Sequence, residues 1–343
     1  MLSLSQLLTA LPSRPDPAAL VREFVPPARF ADKRFHDFHP RDPSQAAAKE
    51  ELEALAASLN DTTRADGWAG RLRARFRGTS PGAGLYLDGG FGVGKTHLLA
   101  SLWHAAPEPK AYLSFDELVF FVGLVGVEAA RAAFSRHRLA AVDEWELDDP
   151  GNLKLALAFL RGALADGVHV VVTSNTLPHE LGSGRFNQKD FRSEIEELAG
   201  AFRVLRLEGT DYRHRLFEAD PGKRYFLPAP ALHAAAEAAP ERALLTEFGP
   251  LVEALGRVHP IRYTALVRGL DALFVEEMHP LDSLYGALRW VHFVDKLYNA
   301  ALPLRASSNV SLGALFPDAF TRGPYAKKLS RALSRLEEML GEE

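Results

Sequence analysis

Cysteine is absent from the 343 residues. That excludes disulfides, thiolate metal sites and cysteine nucleophiles together, and it suits a reducing compartment. A strong charge imbalance is missing too: 40 Lys and Arg against 44 Asp and Glu leave a net charge of −4. No global field therefore draws the chain to nucleic acid, and any such contact must be local. No apolar run is long enough to span a bilayer. The stretch from Met1 to Leu20 has neither a basic n-region nor a continuous apolar h-region, and Pro12, Pro15 and Pro17 interrupt it. These absences predict a cytoplasmic protein with no signal peptide and no stable membrane insertion. No internal sequence repeat is visible. What is present, 47% hydrophobic and 24% charged residues, is ordinary for a globular chain of about two domains.

The run Gly89-Gly90-Phe91-Gly92-Val93-Gly94-Lys95-Thr96 fits G-x-x-x-x-G-K-[ST]. It follows the apolar stretch Leu85-Tyr86-Leu87 and precedes a helical start at His97 to Leu102, the context that makes the pattern a phosphate-binding loop. Glycines let the backbone curl and point N–H groups at a phosphate. Lys95 then reaches the β- and γ-phosphates of a nucleotide such as ATP, or the β-phosphate alone of ADP, the Thr96 hydroxyl ligands Mg²⁺, and His97 opens the helix beside the nucleotide.

From Gly84 to about Leu207 short apolar strands alternate with helical segments. The candidates are Leu85–Leu87, Ala111–Phe115, Leu139–Val142, Val168–Thr173 and Phe202–Leu207. Five such strands with crossover helices predict a doubly wound parallel α/β sheet, whose ligands bind beyond the carboxyl ends of the strands. Ahead of it lies a helical lead-in over residues 1–80, with a helix of good formers from Ala46 to Leu59. The cluster Arg71, Arg73, Arg75 and Arg77, with Trp68 and Phe76 among it, fits a nucleic-acid contact or, more simply, a solvated helix face with inward aromatics. After the core, Ala229 to Ala243 reads as a linker or loosely held helix. Tyr285–Leu297 and Tyr325–Leu340 carry apolar residues at helical spacing.

Phosphoryl transfer also needs an acidic metal site and a group that orients water. Leu139-Ala140-Ala141-Val142-Asp143-Glu144 supplies both: Asp143 to hold the hydrated Mg²⁺ and Glu144, one residue on, to polarise the attacking water. The similar Phe115-Asp116-Glu117 reads instead as a helix start, because Ser114 and Glu117 stand at capping-box spacing. Val170-Val171-Val172-Thr173-Ser174-Asn175 ends a third strand at the same edge, where Asn175 can bond the attacking water or the γ-phosphate. Arg185 and Arg192, in that order, are candidates for a cation supplied across a subunit interface to the transition state; each fits equally a surface arginine paired with Glu194, Glu196 or Glu197.

Together these residues resemble an AAA+ ATPase, and several segments are similar to the ZapE family, which includes mitochondrial relatives. Thr173-Ser174-Asn175 with Pro178 and Glu180-Leu181 resembles its TSN-x-x-P-x-E-L. Asp211-Tyr212-Arg213-His214-Arg215 resembles its D-Y-R-x-R. Arg289 to Tyr298 is similar to R-F-I-x-L-I-D-x-L-Y, and Arg331 to Met339 to the closing R-T-x-S-R-L-x-E-M; Arg29 to Pro40 resembles the opening block. The resemblance departs at Gln188 and Asp190, where arginines are common, and in a shorter segment between Lys95 and Asp143. It implies a P-loop AAA+ core over 81–215 and a mainly helical C-terminal lid domain over 216–343. It implies ATP hydrolysis by a homo-oligomer with sites at subunit interfaces, and for bacterial members action on the main filament protein of the division ring. It also implies that Arg331 and Arg335 sense nucleotide. Two further readings stand beside it. A replication factor of the DnaA or helicase-loader kind shares Gly94-Lys95-Thr96-His97-Leu98-Leu99, and a nucleotide-binding scaffold without turnover needs only the glycine loop.

Overall fold

The computed structural model describes residues 1–11, 16–61, 82–90, 92–147, 150–181, 191–209, 225–323 and 325–341. Phe91, Arg185, the Arg71–Arg77 cluster and the Asp211–Arg215 block lie outside the described residues. The chain divides into two compact units: Pro15–Pro26 with Phe30–His214, and Met1–Arg14 with Pro27–Arg29 and Arg215–Glu343. Residues of the segment 1–80, expected as a helical lead-in, occur in both units.

The larger unit is built on a five-stranded parallel sheet. Its strands are β1 (Gly84–Gly89), β2 (Lys110–Ser114), β3 (Leu139–Asp143), β4 (His169–Ser174) and β5 (Arg203–Leu207), in the order β2-β3-β4-β1-β5. These are the strands expected from the sequence, with ends shifted by a residue or two. Helix α1 (Leu4–Thr9) belongs to the smaller unit; α2 (Pro17–Arg22) and α3 (Pro43–Asn60) precede the strands in the larger one. Between and beyond the strands run α4 (Lys95–Ala105), α5 (Phe115–Val125), α6 (Val127–Phe134), α7 (Pro150–Ala165) and α8 (Arg192–Gly200). Alternation along β1 separates the two faces. Leu85 and Leu87 join Leu52 of α3 and Leu98, Leu99 and Leu102 of α4 in one core. Tyr86 points the other way, its ring 5.6 Å from that of Phe202. Ser114 caps α5 in a capping box with Glu117, so Asp116 and Glu117 are helix-start residues. The free edge of β2 is covered by the segment after α2, where the Tyr112 N–H donates to the Phe24 carbonyl at 2.8 Å.

Helices predominate in the smaller unit, yet it also contains a three-stranded parallel sheet that the sequence reading did not anticipate. The strands are β6 (Ala243–Glu247), β7 (Ala272–Met278) and β8 (Leu304–Ser308), paired in that order. The described helices after β5 are α9 (Ala229–Glu237), α10 (Phe248–Arg257), α11 (Tyr263–Arg268), α12 (Leu284–Asn299), α13 (Asp318–Thr321) and α14 (Ala326–Gly341). Leu232 and Ala236 of α9 pack on Ala243, Ala272 and Phe274. Leu273, Val275 and Leu304 face a core with Leu251 of α10, Trp290 and Val294 of α12 and Leu333 of α14. Both edges of this sheet are capped by extended backbone: the Leu2 N–H donates to the Ala243 carbonyl at 2.9 Å and the Leu227 N–H to that of Ala306 at 2.8 Å. Ala229 to Ala243, expected as a linker or a loosely held helix, is a helix packed on the sheet that leads into β6.

Candidate functional site

All five strands of the larger sheet run the same way, so β1, β3 and β4 deliver their carboxyl ends to one edge. The glycine loop leaves β1 there and turns into α4. Gly92 and Gly94 take φ of 75° and 92°, a left-handed backbone that glycine adopts without penalty. At Gly94 space demands glycine as well, because a Cβ would stand 2.3 Å from Cε2 of Phe38. Val93 of the loop is buried beneath it, while Gly90 has open space around its Cα.

Lys95 is 8% exposed, and its ammonium donates to the carbonyls of Gly89 and Gly90 at 2.7 and 2.6 Å and to Oδ1 of Asn175 at 2.8 Å. The loop lysine and the end of β4 are therefore in direct contact. One residue on, the Thr96 hydroxyl lies 3.2 Å from Oδ1 of Asp143. Asp143 is buried and accepts two further hydroxyls: Thr173 on the same Oδ1, and Tyr112 on Oδ2 at 2.8 Å. Burial and the neighbouring Glu144 push the Asp143 carboxyl up, while the Thr173, Tyr112 and Thr96 hydroxyls pull the other way.

Glu144 follows with φ 54°, a left-handed conformation that is uncommon for a non-glycine residue and costs free energy unless its surroundings hold it. Here the hold is visible: the Glu144 N–H donates to Thr173 Oγ1 at 3.0 Å. Next to it the Trp145 N–H donates to the Thr173 carbonyl at 2.7 Å, and the Ser174 hydroxyl donates to the Trp145 carbonyl at 2.8 Å. The turn after β3 is thus stitched to the end of β4. Thr173 spans both jobs, donating to Asp143 and accepting from Glu144.

Of the residues singled out in the sequence, the structure brings Gly89, Gly90, Lys95, Thr96, Asp143, Glu144 and Asn175 to this edge. His97 is turned to the amino-terminal segment: its Nε2 is 3.2 Å from the Arg34 carbonyl and its ring meets that of Phe38 edge-on at 5.4 Å. Because a carbonyl only accepts, Nε2 carries the proton; burial pulls the His97 pKa down. Arg192 bonds Glu196 one turn on along α8, and both are exposed. In the smaller unit, Arg331 and Arg335 both face Asp295, the former at 3.6 Å. Although burial pushes the Asp295 carboxyl up, the two guanidiniums outweigh it and hold it below its ordinary value.

Sequence reasoning missed three participants. Phe38 closes on Gly94 from far away in the chain. Tyr112 sits mid-strand, where an aromatic signals only a core. Asp88, 6% exposed at the end of β1, is raised by burial against the pull of Arg206 and Lys95. Oxygen donors alone, a hydroxyl beside a carboxylate, suit Mg²⁺, which keeps most of its waters and takes few protein ligands. No cluster of three or more His, Cys, Asp or Glu able to hold a metal occurs among the described residues, and Mg²⁺ held partly by nucleotide phosphates needs none.

A parallel sheet with a glycine loop and its lysine after β1, and an acidic pair after β3 with β4 between the two, defines the P-loop nucleotide-binding class. The model of the AFG1-like ATPase family matches residues 24–248 and 231–343, and the chain belongs to that family. It is similar to the cell division protein ZapE of Escherichia coli (strain K12), at 24% identity over 94% of this chain and 98% of the relative. It is also similar to the chromosomal replication initiator protein DnaA of Xanthobacter autotrophicus, at 32% identity over 43% of this chain and 31% of that protein. Among solved structures, DnaI matches at 17% identity with a TM-score of 0.41, covering 55% of this chain and 94% of that one. No described helix is long and apolar enough to cross a membrane.

Proposed function

We propose that this protein hydrolyses ATP with Mg²⁺ and couples turnover to remodelling of a protein partner, in bacterial cell division. The supporting observation is the convergence at one strand edge of Lys95, Asn175, Thr96 and Asp143 through direct hydrogen bonds. In this reading, the backbone N–H groups from Gly89 to Thr96 and the Lys95 ammonium cradle the phosphates. Entry of a phosphate exchanges the carbonyl partners of Lys95 for phosphate oxygens and leaves Asn175 beside the γ-position. Thr96 and Asp143 hold Mg²⁺, which when bound neutralises charge developing on the transferring phosphoryl group. Glu144, set off the strand by its left-handed backbone, accepts a proton from the attacking water and orients it.

The chain acts as a homo-oligomer with sites at subunit interfaces, and Arg185 supplies the neighbour's cation. Arg192, already paired with Glu196, is the second choice. The division role rests on the likeness to ZapE along nearly the whole chain. The partner of that role is the main filament protein of the division ring.

Steady-state ATP turnover of wild type and Lys95→Ala, with the filament protein and single-stranded DNA as separate additions, tests this. Turnover abolished in Lys95→Ala and raised by the filament protein supports the reading. Stimulation by DNA alone, with the salt sensitivity of phosphate contacts, would replace it with a replication role, and no turnover under any condition would leave a nucleotide-binding scaffold.

A further inference from the structure

The two oxygens of Asp143 are not equivalent. Oδ1 receives the hydroxyls of Thr96 and Thr173, both from the strand-edge side that faces the glycine loop. Oδ2 receives a single hydroxyl, that of Tyr112, at 2.8 Å. Tyr112 is 3% exposed. Its ring is part of the core that joins α3 and α4 to the sheet, and its backbone pairs with Ala141 of β3, two residues before Asp143. The phenol thus rises through the core along β3 and meets the carboxylate from below.

A core position does not require this hydroxyl; phenylalanine fills nearly the same volume. A carboxyl group, moreover, turns easily about its last bond, where the torsion is broad and roughly two-fold. Mg²⁺ tolerates little misalignment, since it demands near-ideal octahedral geometry. Partners that orient a metal's ligands change metal affinity by about 10- to 100-fold when removed.

We propose that Tyr112 is a positioning residue for the metal: its buried phenol clamps Oδ2 of Asp143 and so presents Oδ1, beside the Thr96 hydroxyl, to the divalent cation. This rests on the reading that Thr96 and Asp143 hold the Mg²⁺ of Mg–ATP. Thr173 cannot do the same job alone, because it shares Oδ1 with the metal side and is also committed to the Glu144 N–H.

The test is a Mn²⁺ titration followed by electron paramagnetic resonance, on the full chain with a non-hydrolysable ATP analogue. Nucleotide affinity in EDTA is measured beside it. Tyr112→Phe is expected to raise the half-saturating Mn²⁺ concentration about 10-fold, with metal-free nucleotide affinity unchanged. A core-filling role alone would move neither readout selectively. In an Asp143→Asn background, where the clamped carboxylate is gone, Tyr112→Phe should add no further loss. Tyr112→Met, which fills the core without a donor, carries the same test if the phenylalanine variant folds poorly. An unchanged Mn²⁺ midpoint in the folded variants, or an equal loss in the Asp143→Asn background, overturns the role of Tyr112. Wild-type protein whose nucleotide binding ignores divalent cations would instead sink the Mg–ATP reading on which it rests.

Discussion

In the larger sheet β3 ends in Asp143-Glu144 and the adjacent β4 in Thr173-Ser174-Asn175. In the smaller sheet β7 carries Glu276-Glu277 just before its last residue, Met278, at a break in its register with the adjacent β8, which leads into Ser307-Ser308-Asn309. The two edges share more than residue types. Glu144 and Glu277 both have φ 54°. Each donates its N–H at 3.0 Å to the hydroxyl of the neighbouring strand, Thr173 in one case and Ser307 in the other. Ser174 and Ser308 then donate to the carbonyl of the residue after the glutamate, Trp145 at 2.8 Å and Met278 at 2.7 Å. Both serines accept an N–H from two residues on, Thr176 and Val310. A pattern invisible as a sequence repeat is therefore present twice as a backbone arrangement.

The surroundings differ. On its other side β4 has β1, which carries the glycine loop and Lys95. Beyond β8 lies the extended backbone at Leu227, with no glycine loop among the described residues. The carboxylate at the strand end differs too: Asp143 takes three hydroxyls, whereas Glu276 lies 2.6 Å from Nε2 of His233. An acidic pair with a left-handed glutamate is thus a backbone arrangement found at or near the end of a parallel strand. It becomes a candidate catalytic edge where a phosphate loop stands beside it.

The largest effect should separate the two glutamates. Glu144→Gln should keep ATP binding and lower kcat by about 10²-fold or more, while Glu277→Gln leaves turnover unchanged in the same assay. A loss of turnover in Glu277→Gln would break the distinction between the edges.

The two units also hold a largely sequestered carboxylate by opposite means, hydroxyls around Asp143 and the guanidiniums of Arg331 and Arg335 around Asp295. Asp295→Asn should destabilise by about 3 kcal/mol, because it leaves two partly buried guanidiniums without their shared carboxylate. The sign with pH follows from the depressed pKa of Asp295. Its contribution is complete above the ordinary carboxylate value and is lost as pH falls through the lower folded value. Denaturant unfolding of wild type and Asp295→Asn should therefore differ most near neutral pH and converge in acid. A gap that persists unchanged in acid would mean the ion pairs are not what holds these helices.

The first sheet was legible because each strand is a short apolar run flanked by unmistakable partners: Leu85–Leu87 by the glycine loop, Leu139–Val142 by Asp143-Glu144. The second was not. Ala243-Leu244-Leu245 and Ala272-Leu273-Phe274-Val275 are apolar runs too short to tell from buried helix by periodicity, and they lie among genuine helices. The roles of Phe38 and Tyr112 depend on contacts between segments far apart in the chain. Arg331 and Arg335 were marked by family likeness alone, and only the fold shows both turned to Asp295.

A smaller effect should come from the hydroxyls that hold the turns. Ser307→Ala leaves the Glu277 N–H without its partner and should cost about 1–3 kcal/mol in denaturant unfolding, with ATP turnover intact. Thr173→Ala should cost a similar amount and lower turnover as well, since the same hydroxyl serves Asp143. Equal stability losses with unequal activity losses would be the signature of one backbone device used in two settings.

The smallest effect probes the backbone itself. A left-handed conformation costs a side-chain-bearing residue about 1 kcal/mol that glycine does not incur. Glu277→Gly should therefore stabilise the protein by about that much, or at least not weaken it, with no change in turnover. Glu144→Gly should relieve the same strain and raise the melting temperature, yet it removes the carboxylate proposed to orient water, so hydrolysis should stop. Strain kept at Glu144 would then be strain retained for chemistry, whereas at Glu277 it is left over from the way the strand ends. Melting temperature and turnover, measured on both glycine variants, decide this together: if Glu277→Gly lowers turnover or Glu144→Gly keeps it, the likeness of the two edges extends to function, and the second sheet has a part in the reaction.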